Sequence, residues 1–168
     1  MDTKKCIFFV EDNEFFASTV SNGLKNRMKC DVEVFHTGED MLAQLDKTPD
    51  VIILDYQLDS TVPNAKNGAE ILRIALQKYP GLNVIMLTSM EDLKEAVNLL
   101  KKGAVDYILK DDVFFENLIK SISNVFEIQE LKNEITDLRK KNKAYRKRLV
   151  LIFLLMITIV TVLGLILL

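Results

Sequence analysis

The stretch that decides the fold is Val51–Asp55, with the sequence VIILD, in which four apolar residues precede a carboxylate. Pro49 and Asp50 come before it, and loop-forming residues follow at 57–67. A short apolar run between turn signals predicts a strand buried on both faces, as in a parallel sheet. Because ligands bind at the carboxyl ends of parallel strands, Asp55 is the first candidate functional residue. The alternative is that Asp55 merely starts the following turn.

Strand and helix patterns alternate along the first three quarters of the chain. The predicted strands are 5–10, 31–35, 50–54, 83–87 and 104–109, and the predicted helices are 13–28, 39–45, 68–79, 91–101 and one from 113 onward. In the helix 91–101, Leu93, Val97 and Leu100 are expected to face the core. This order favours an α/β fold, a doubly wound parallel sheet with helices on both faces, over roughly 125 residues.

Composition narrows the kinds of function that the chain can have. The 168 residues are 49% hydrophobic and 27% charged, enough for one ordinary domain and an appendage. His36 is the only histidine, so a Ser-His triad or a multi-histidine zinc site is hard to build. The segment Arg139–Arg148 carries seven basic residues and no acidic one, which leaves 15 basic against 24 acidic residues elsewhere. This distribution argues against a DNA-binding body.

Polar side chains stand at the ends of four predicted strands, and these ends lie along one edge of a parallel sheet. In chain order they are Glu11 and Asp12, then Asp55, Thr88 and Lys110. Three clustered carboxylates need a compensating cation, and oxygen ligands of this kind suit Mg²⁺. A lysine and a threonine hydroxyl beside them suit a phosphoryl group. The pattern therefore indicates phosphoryl transfer to Asp55 as a carboxylate nucleophile.

Four segments resemble the receiver domain of response regulators in two-component signalling. They are FFVEDN at 8–13, VIILDY at 51–56, MLTS at 86–89 and GAVDYILK at 103–110. The resemblance covers about residues 4–125. It implies a flavodoxin-like five-stranded sheet in the order 2-1-3-4-5, and phosphorylation by a sensor histidine kinase or a phosphotransfer protein.

The resemblance also implies a metal site and a phosphoryl acceptor. Glu11 and Asp12 match the acidic pair that holds Mg²⁺, and Asp55 matches the phospho-accepting aspartate at the same metal. The backbone carbonyl of Gln57 matches a further protein ligand to that metal.

Three more residues match the family's switch and its phosphoryl-binding lysine. Thr88 matches the switch hydroxyl, and Lys110 matches the lysine that pairs with phosphoryl oxygens. Tyr107 matches the aromatic switch residue, with a plain strand aromatic as the alternative. The chain departs from the family pattern in its loop, since Pro63 and Gly68 come later than usual and make the loop longer by about four or five residues.

Beyond the domain, the residues at steps of three and four predict a stalk over 126–148. The seam is Ile128, Leu131, Ile135, Leu138, Asn142, Tyr145 and Leu149. Isoleucine at position a with leucine at position d, together with one buried asparagine, favours a parallel two-stranded coiled coil. We therefore expect a homodimer through residues 128–149. The alternative is a single amphipathic helix that extends the last helix of the domain.

The last 20 residues, 149–168, carry no charge. This length and composition predict a transmembrane helix. The basic segment Arg139–Arg148 directly before it predicts that the receiver lies in the cytoplasm, because basic residues flank membrane spans on the cytoplasmic side. The expected location is the inner (cytoplasmic) membrane, with a single pass.

Together these patterns predict a receiver domain at 1–125 that is phosphorylated on Asp55 in a Mg²⁺-dependent reaction. Output is expected through protein contacts at the membrane, without a DNA-binding domain; the alternative is that the protein acts as a phosphate sink. The chain is not expected to be an enzyme beyond self-catalysed formation and hydrolysis of its acyl phosphate. A haloacid dehalogenase-type phosphatase would need a second aspartate where Gln57 stands. The other alternative is a membrane-tethered adaptor that uses the receiver fold without phosphorylation.

Overall fold

The computed structural model describes residues 4–58, 66–89 and 93–166. Within these residues, five parallel strands form one sheet in the order β2-β1-β3-β4-β5. The strands are β1 Cys6–Val10, β2 Asp31–Phe35, β3 Val51–Asp55, β4 Val84–Thr88 and β5 Asp106–Leu109. The helices are α1 Glu14–Met28, α2 Gly38–Ala43, α3 Gly68–Lys78, α4 Leu93–Lys101 and α5 Phe114–Ile166, and a short 3-10 helix covers Leu45–Lys47. The predicted fold and strand order are confirmed.

Strand β3 lies at the centre of the sheet, between β1 and β4. Each of its five residues is buried, because helices cover both faces of the sheet. Val51 and Ile53 belong to one core cluster, which includes residues of α1 and α5. Ile52 and Leu54 belong to a second cluster, with residues of α2, α3 and α4. The apolar run therefore fixes β3 in the sheet, and its last residue, Asp55, is held at the carboxyl edge.

Two asparagine caps start the helices that follow the functional strand ends. The side chain of Asn13 accepts a hydrogen bond from the Phe16 N–H at 3.0 Å, at the start of α1. Asn67 accepts one from the Glu70 N–H at 3.0 Å, at the start of α3. Such caps satisfy N–H groups that have no partner within the helix. They place the first turns of α1 and α3 beside the carboxyl edge of the sheet.

The buried face of α4 differs from the predicted one. Ala96 and Leu99 are buried, whereas Val97 and Leu100 are 49% and 44% exposed. The prediction was wrong because α4 has apolar residues on two adjacent faces, and periodicity alone does not choose between them. Packing favours the face with Ala96, since its small side chain allows a close approach to the sheet. The predicted helix start at Glu91 and the side chain of Leu93 lie outside the described residues.

The chain divides into two units, Met1–Phe126 and Glu127–Leu168. In the described part of the second unit the backbone is one continuous helix, so the predicted long C-terminal helix is confirmed. Along it, the large apolar residues of the predicted seam are exposed to a similar extent, from 47% for Leu149 to 62% for Tyr145. The seam is therefore a continuous uncovered stripe.

The structure overturns the predicted membrane anchor. None of the helices, over the residues that the structure describes, combines the length and the apolar character needed to cross a membrane. The transmembrane helix at 149–168 and the single-pass location in the inner membrane are corrected accordingly.

Candidate functional site

The three acidic residues that the sequence pattern places in one site lie together at the carboxyl edge of the sheet. Glu11 follows β1, and its N–H donates to the Phe35 carbonyl at 2.9 Å, which ties the end of β1 to β2. Glu11, Asp12 and Asp55 each offer a carboxylate oxygen, and these oxygens lie within 4.8 Å of one another. An all-oxygen donor set at this spacing fits a hard divalent cation such as Mg²⁺.

A single ammonium group bridges two of these carboxylates. The Nζ of Lys110 lies 2.7 Å from Oε2 of Glu11 and 2.8 Å from Oδ2 of Asp55. The Lys110 N–H also donates to the Thr88 carbonyl at 2.7 Å, which places the lysine at the end of β5. Its side chain is 15% exposed, so water screens these ion pairs little. The lysine predicted from the fifth strand is therefore in contact with the first and third strands.

Burial determines the electrostatics of the site. Glu11 and Asp55 are 2% and 3% exposed. Burial raises the pKa of Glu11, and the nearby Asp55 carboxylate raises it further. Burial also raises the pKa of Asp55, although Lys110 opposes the change. Burial alone lowers the pKa of Lys110, but Asp55 and Glu11 outweigh it and the pKa is raised. The cluster thus has more negative charge than one ammonium balances, and it favours a further cation.

The backbone near Gln57 and Gly68 packs closely around Asp55. The Gln57 N–H donates to Oδ1 of Asp55 at 3.3 Å, and Leu58 is buried. The Gly68 N–H donates to the Tyr56 carbonyl at 2.9 Å. A Cβ atom on Gly68 would lie 2.1 Å from the Asp55 carbonyl oxygen. Gly68 therefore lets α3 begin directly against the backbone of Asp55. Pro63 and most of the predicted long loop lie outside the described residues.

The two predicted switch residues lie on neighbouring strands. Thr88 is the last residue of β4 and is buried. Tyr107 pairs with Met86 in the β4–β5 register, two residues before the final pair of Thr88 with Leu109. Its ring is partly buried against the core cluster that α2, α3 and α4 cover. The structure thus places Thr88 at the carboxyl edge and Tyr107 beneath it.

An aromatic residue that the sequence motifs do not indicate also contacts the site. The Lys110 Nζ lies 4.7 Å from the centre of the Phe16 ring. Phe16 belongs to the apolar stripe of α1, and that stripe alone predicts core packing. The signal that could have found it is its position, since Phe16 stands in the first turn of the helix that follows Glu11 and Asp12.

Comparison with known proteins gives a consistent result. Residues 7–123 match the family model described as response regulator receiver domain. The transcriptional regulatory protein DegU of Brevibacillus brevis is 31% identical over 114 residues, which cover 66% of this chain and 45% of DegU. The chain thus spans less than half the length of this relative.

Solved structures agree with the fold. A CheY-like response regulator receiver domain protein from Methanospirillum hungatei has a TM-score of 0.67 at 26% identity, covering 77% of this chain and 99% of that one. The response regulator DrrB of Thermotoga maritima, an OmpR/PhoB homologue, has a TM-score of 0.63 at 28% identity, covering 76% of this chain and 54% of that one.

Proposed function

Because the chain belongs to the response regulator receiver domain family, we propose that Asp55 accepts a phosphoryl group in two-component signalling. Receiver domains of response regulators interact with histidine kinases or phosphotransfer proteins, and we propose such a protein as the donor. The observation that carries the proposal is the Lys110 ammonium, held 2.8 Å from Asp55 beside three converging carboxylates. An aspartate placed in this way is a carboxylate nucleophile with the counter-charge for a phosphoryl group already in position.

Receiver domains generally bind Mg²⁺ at an acidic pocket, and the donor set of this chain fits that ion. We assign Glu11, Asp12, Asp55 and the backbone carbonyl of Gln57 as its ligands. When bound, the metal supplies positive charge that offsets the carboxylates and the phosphoryl oxygens. Burial of Glu11 and Asp55 excludes bulk water from the ligands, which strengthens each of these charge interactions.

In the proposed transfer, an Asp55 carboxylate oxygen forms a bond to phosphorus while the bond from phosphorus to the donor's leaving atom breaks. The electron pair of the broken bond stays with the donor. Lys110 then pairs with phosphoryl oxygens, and the Thr88 hydroxyl donates to one of them. Movement of Thr88 leaves room at the edge of β4, and we propose that the Tyr107 ring turns inward to fill it. Formation and hydrolysis of this acyl phosphate are the only chemistry that we assign to the chain.

We infer that output proceeds through protein contacts, first of all with a second copy of this chain. The seam from Ile128 to Leu149 is an exposed apolar stripe with a polar Asn142 at one a position. In a parallel dimer, Glu127 and Glu134 at g positions meet Lys132 and Arg139 at e positions. Lys141 and Arg146 would repel in the same arrangement, so the attractive pairs are those of the first two heptads. Charge and apolar pattern therefore support a parallel homodimer rather than direct contact with DNA.

The proposed function is tested with a small phosphodonor such as phosphoramidate, on the full-length chain with Mg²⁺. The expected result is an acid-labile, hydroxylamine-sensitive label that is lost on chelation and in Asp55→Asn. Asp112→Asn is the matched control, because Asp112 is an exposed carboxylate two positions after Lys110. Label that persists in Asp55→Asn would contradict the assignment of the acceptor. A wild-type chain that takes up no label would favour the adaptor that works without phosphorylation.

A further inference from the structure

The Lys110 ammonium has a third partner besides the two carboxylates. Its Nζ lies 4.7 Å from the centre of the Phe16 ring, within the range in which the electron-rich face of a ring attracts a cation. Phe16 is partly buried and Lys110 is 15% exposed. Little water separates the two groups, so the attraction is stronger than it is at an open surface.

The Phe16 ring is itself held in place. The Phe16 backbone N–H donates to the Asn13 cap at 3.0 Å, which fixes the first turn of α1. Its ring packs edge-on against Phe9, with centroids 6.5 Å apart, and lies at a tilt of 33° against Phe114, with centroids 5.3 Å apart. Phe9 belongs to β1 and Phe114 begins α5. Three elements of the domain therefore set the position of the ring face.

We propose that Phe16 is a positioning residue of the phosphoryl site, which holds the Lys110 ammonium over the carboxylate cluster by its ring face. This inference rests on the proposed function. Both carboxylate partners of Lys110, Glu11 and Asp55, are also assigned as metal ligands, so Mg²⁺ competes for their negative charge. The ring of Phe16 does not bind Mg²⁺, and its attraction for the ammonium persists when the metal is present.

Holding the ammonium matters because a lysine side chain is flexible. Its four-carbon stem has many rotamers. The ammonium is a compact charge without a preferred direction, so an ion pair alone does not select one rotamer. A lysine that drifted toward solvent would have to be recovered before the phosphoryl group arrived. The ring keeps the ammonium at the mouth of the site without accepting a conventional hydrogen bond from it, so the ammonium N–H groups remain available to carboxylate and phosphoryl oxygens.

The two possible roles of Phe16, filling the core and holding Lys110, lead to different expected effects of substitution. Phe16→Leu keeps an apolar side chain but removes the ring face, whereas Phe16→Tyr keeps the ring. Phe115→Leu is the matched control, because Phe115 is a neighbouring aromatic whose ring packs against Gly23. Positioning predicts a defect in Phe16→Leu alone, and simple packing predicts similar defects in both leucine variants.

The first measurement is the rate constant for labelling by phosphoramidate with Mg²⁺, on the full-length chain. We expect a decrease of about 3- to 10-fold for Phe16→Leu, the loss of one partly desolvated cation–π contact. Phe16→Tyr and Phe115→Leu should remain within about 2-fold of the wild type. Replacing Phe16 by phenylalanines with more ring fluorines should lower the rate stepwise, because fluorine weakens the negative ring face while keeping its shape. A flat fluorine series, or equal losses in the two leucine variants, would overturn the inference.

The second measurement does not need phosphorylation. Proton NMR of the Lys110 ε-methylene should show an upfield ring-current shift in the wild type and in Phe16→Tyr, with and without Mg²⁺, and no such shift in Phe16→Leu. Its absence from a wild-type chain that takes up label would overturn the role of Phe16 and leave the proposed function intact. A wild-type chain that takes up no label would remove both.

Discussion

Glu11 and Lys110 are 99 positions apart in the chain, yet the Lys110 ammonium lies 2.7 Å from the Glu11 carboxylate. The contact exists because β1 and β5 run parallel in one sheet and end at the same edge. It makes the first and last strands of the domain depend on each other through a pair of buried charges.

Removing the lysine should destabilise the metal-free protein. Lys110→Ala leaves Glu11 and Asp55 buried without their shared counter-charge, and we expect the free energy of unfolding to fall by about 3 kcal/mol. Mg²⁺ should narrow this loss, since the metal offsets the same carboxylates. Urea unfolding with and without Mg²⁺ measures both effects. Lys101→Ala, at an exposed lysine of α4, should change stability by less than about 0.5 kcal/mol. An equal loss in the two metal conditions would contradict the shared role.

The stability of the metal-free protein should decrease as the pH rises from about 5 toward neutrality. Folding raises the pKa of Glu11 and of Asp55, so the folded state binds more protons than the unfolded state in this window. The stabilisation is complete below the ordinary carboxyl pKa of about 4 and is lost as the pH passes the raised values. Urea unfolding in chelator at several pH values tests this.

The matched protein for the pH series is the double variant Glu11→Gln with Asp55→Asn, in which the decrease should be smaller. Groups elsewhere, such as Glu39 with its lowered pKa, titrate alike in both proteins and cancel in the difference. Mg²⁺ should flatten the decrease in the wild type, because the metal binds the ionised carboxylates. A wild type and a double variant with the same pH slope would argue against raised pKa values at these two residues.

Replacing Gly68 by alanine should disturb Asp55, the proposed phosphoryl acceptor. The added Cβ would meet the Asp55 carbonyl oxygen at 2.1 Å, and a backbone atom does not swing aside as a side chain does. We expect Gly68→Ala to lower the free energy of unfolding by about 2 kcal/mol and to slow labelling of Asp55. Gly81→Ala is the control, because a Cβ there meets no atom within 4 Å. Chemical denaturation of the two variants measures the difference in their free energies of unfolding. Equal stability would refute the close contact between Gly68 and the Asp55 carbonyl.

The exposed seam should pair with its copy in a second chain. Sedimentation of the full-length protein should give a dimer, and Ile135→Asp should give a monomer because it puts a charge at a central a position. Asn133→Asp adds the same charge at an exposed position outside the seam and should leave the dimer intact. A wild-type chain that remains monomeric at high concentration would count against the coiled coil.

The site could be predicted from sequence because it depends on strand ends. Parallel strands share one carboxyl edge, so a residue that directly follows an apolar strand lies at that edge. Asp55 and Lys110 were found in this way, and their contact at 2.8 Å requires only that β3, β4 and β5 lie in the predicted order.

What sequence reasoning missed depends on the rotation of helices and on close packing. The choice between Leu99 and Leu100 as the buried residue of α4 follows from how the helix meets the sheet, which its own periodicity does not record. The contact of Gly68 with Asp55 depends on where α3 begins relative to the carboxyl end of β3. The ring of Phe16 meets Lys110 only once α1 has docked on β1. Each of these features arises from partners distant in the chain.

The shared ion pairs of Lys110 also have a consequence for the chain during its synthesis. The ribosome makes Glu11, Asp12 and Asp55 first, and it makes Lys110 after them. Until the fifth strand has left the exit tunnel and joined the sheet, the nascent chain holds its acidic residues without the lysine that balances them. Under the proposed function, competence to receive a phosphoryl group would therefore be acquired late in translation, once Lys110 has joined the sheet.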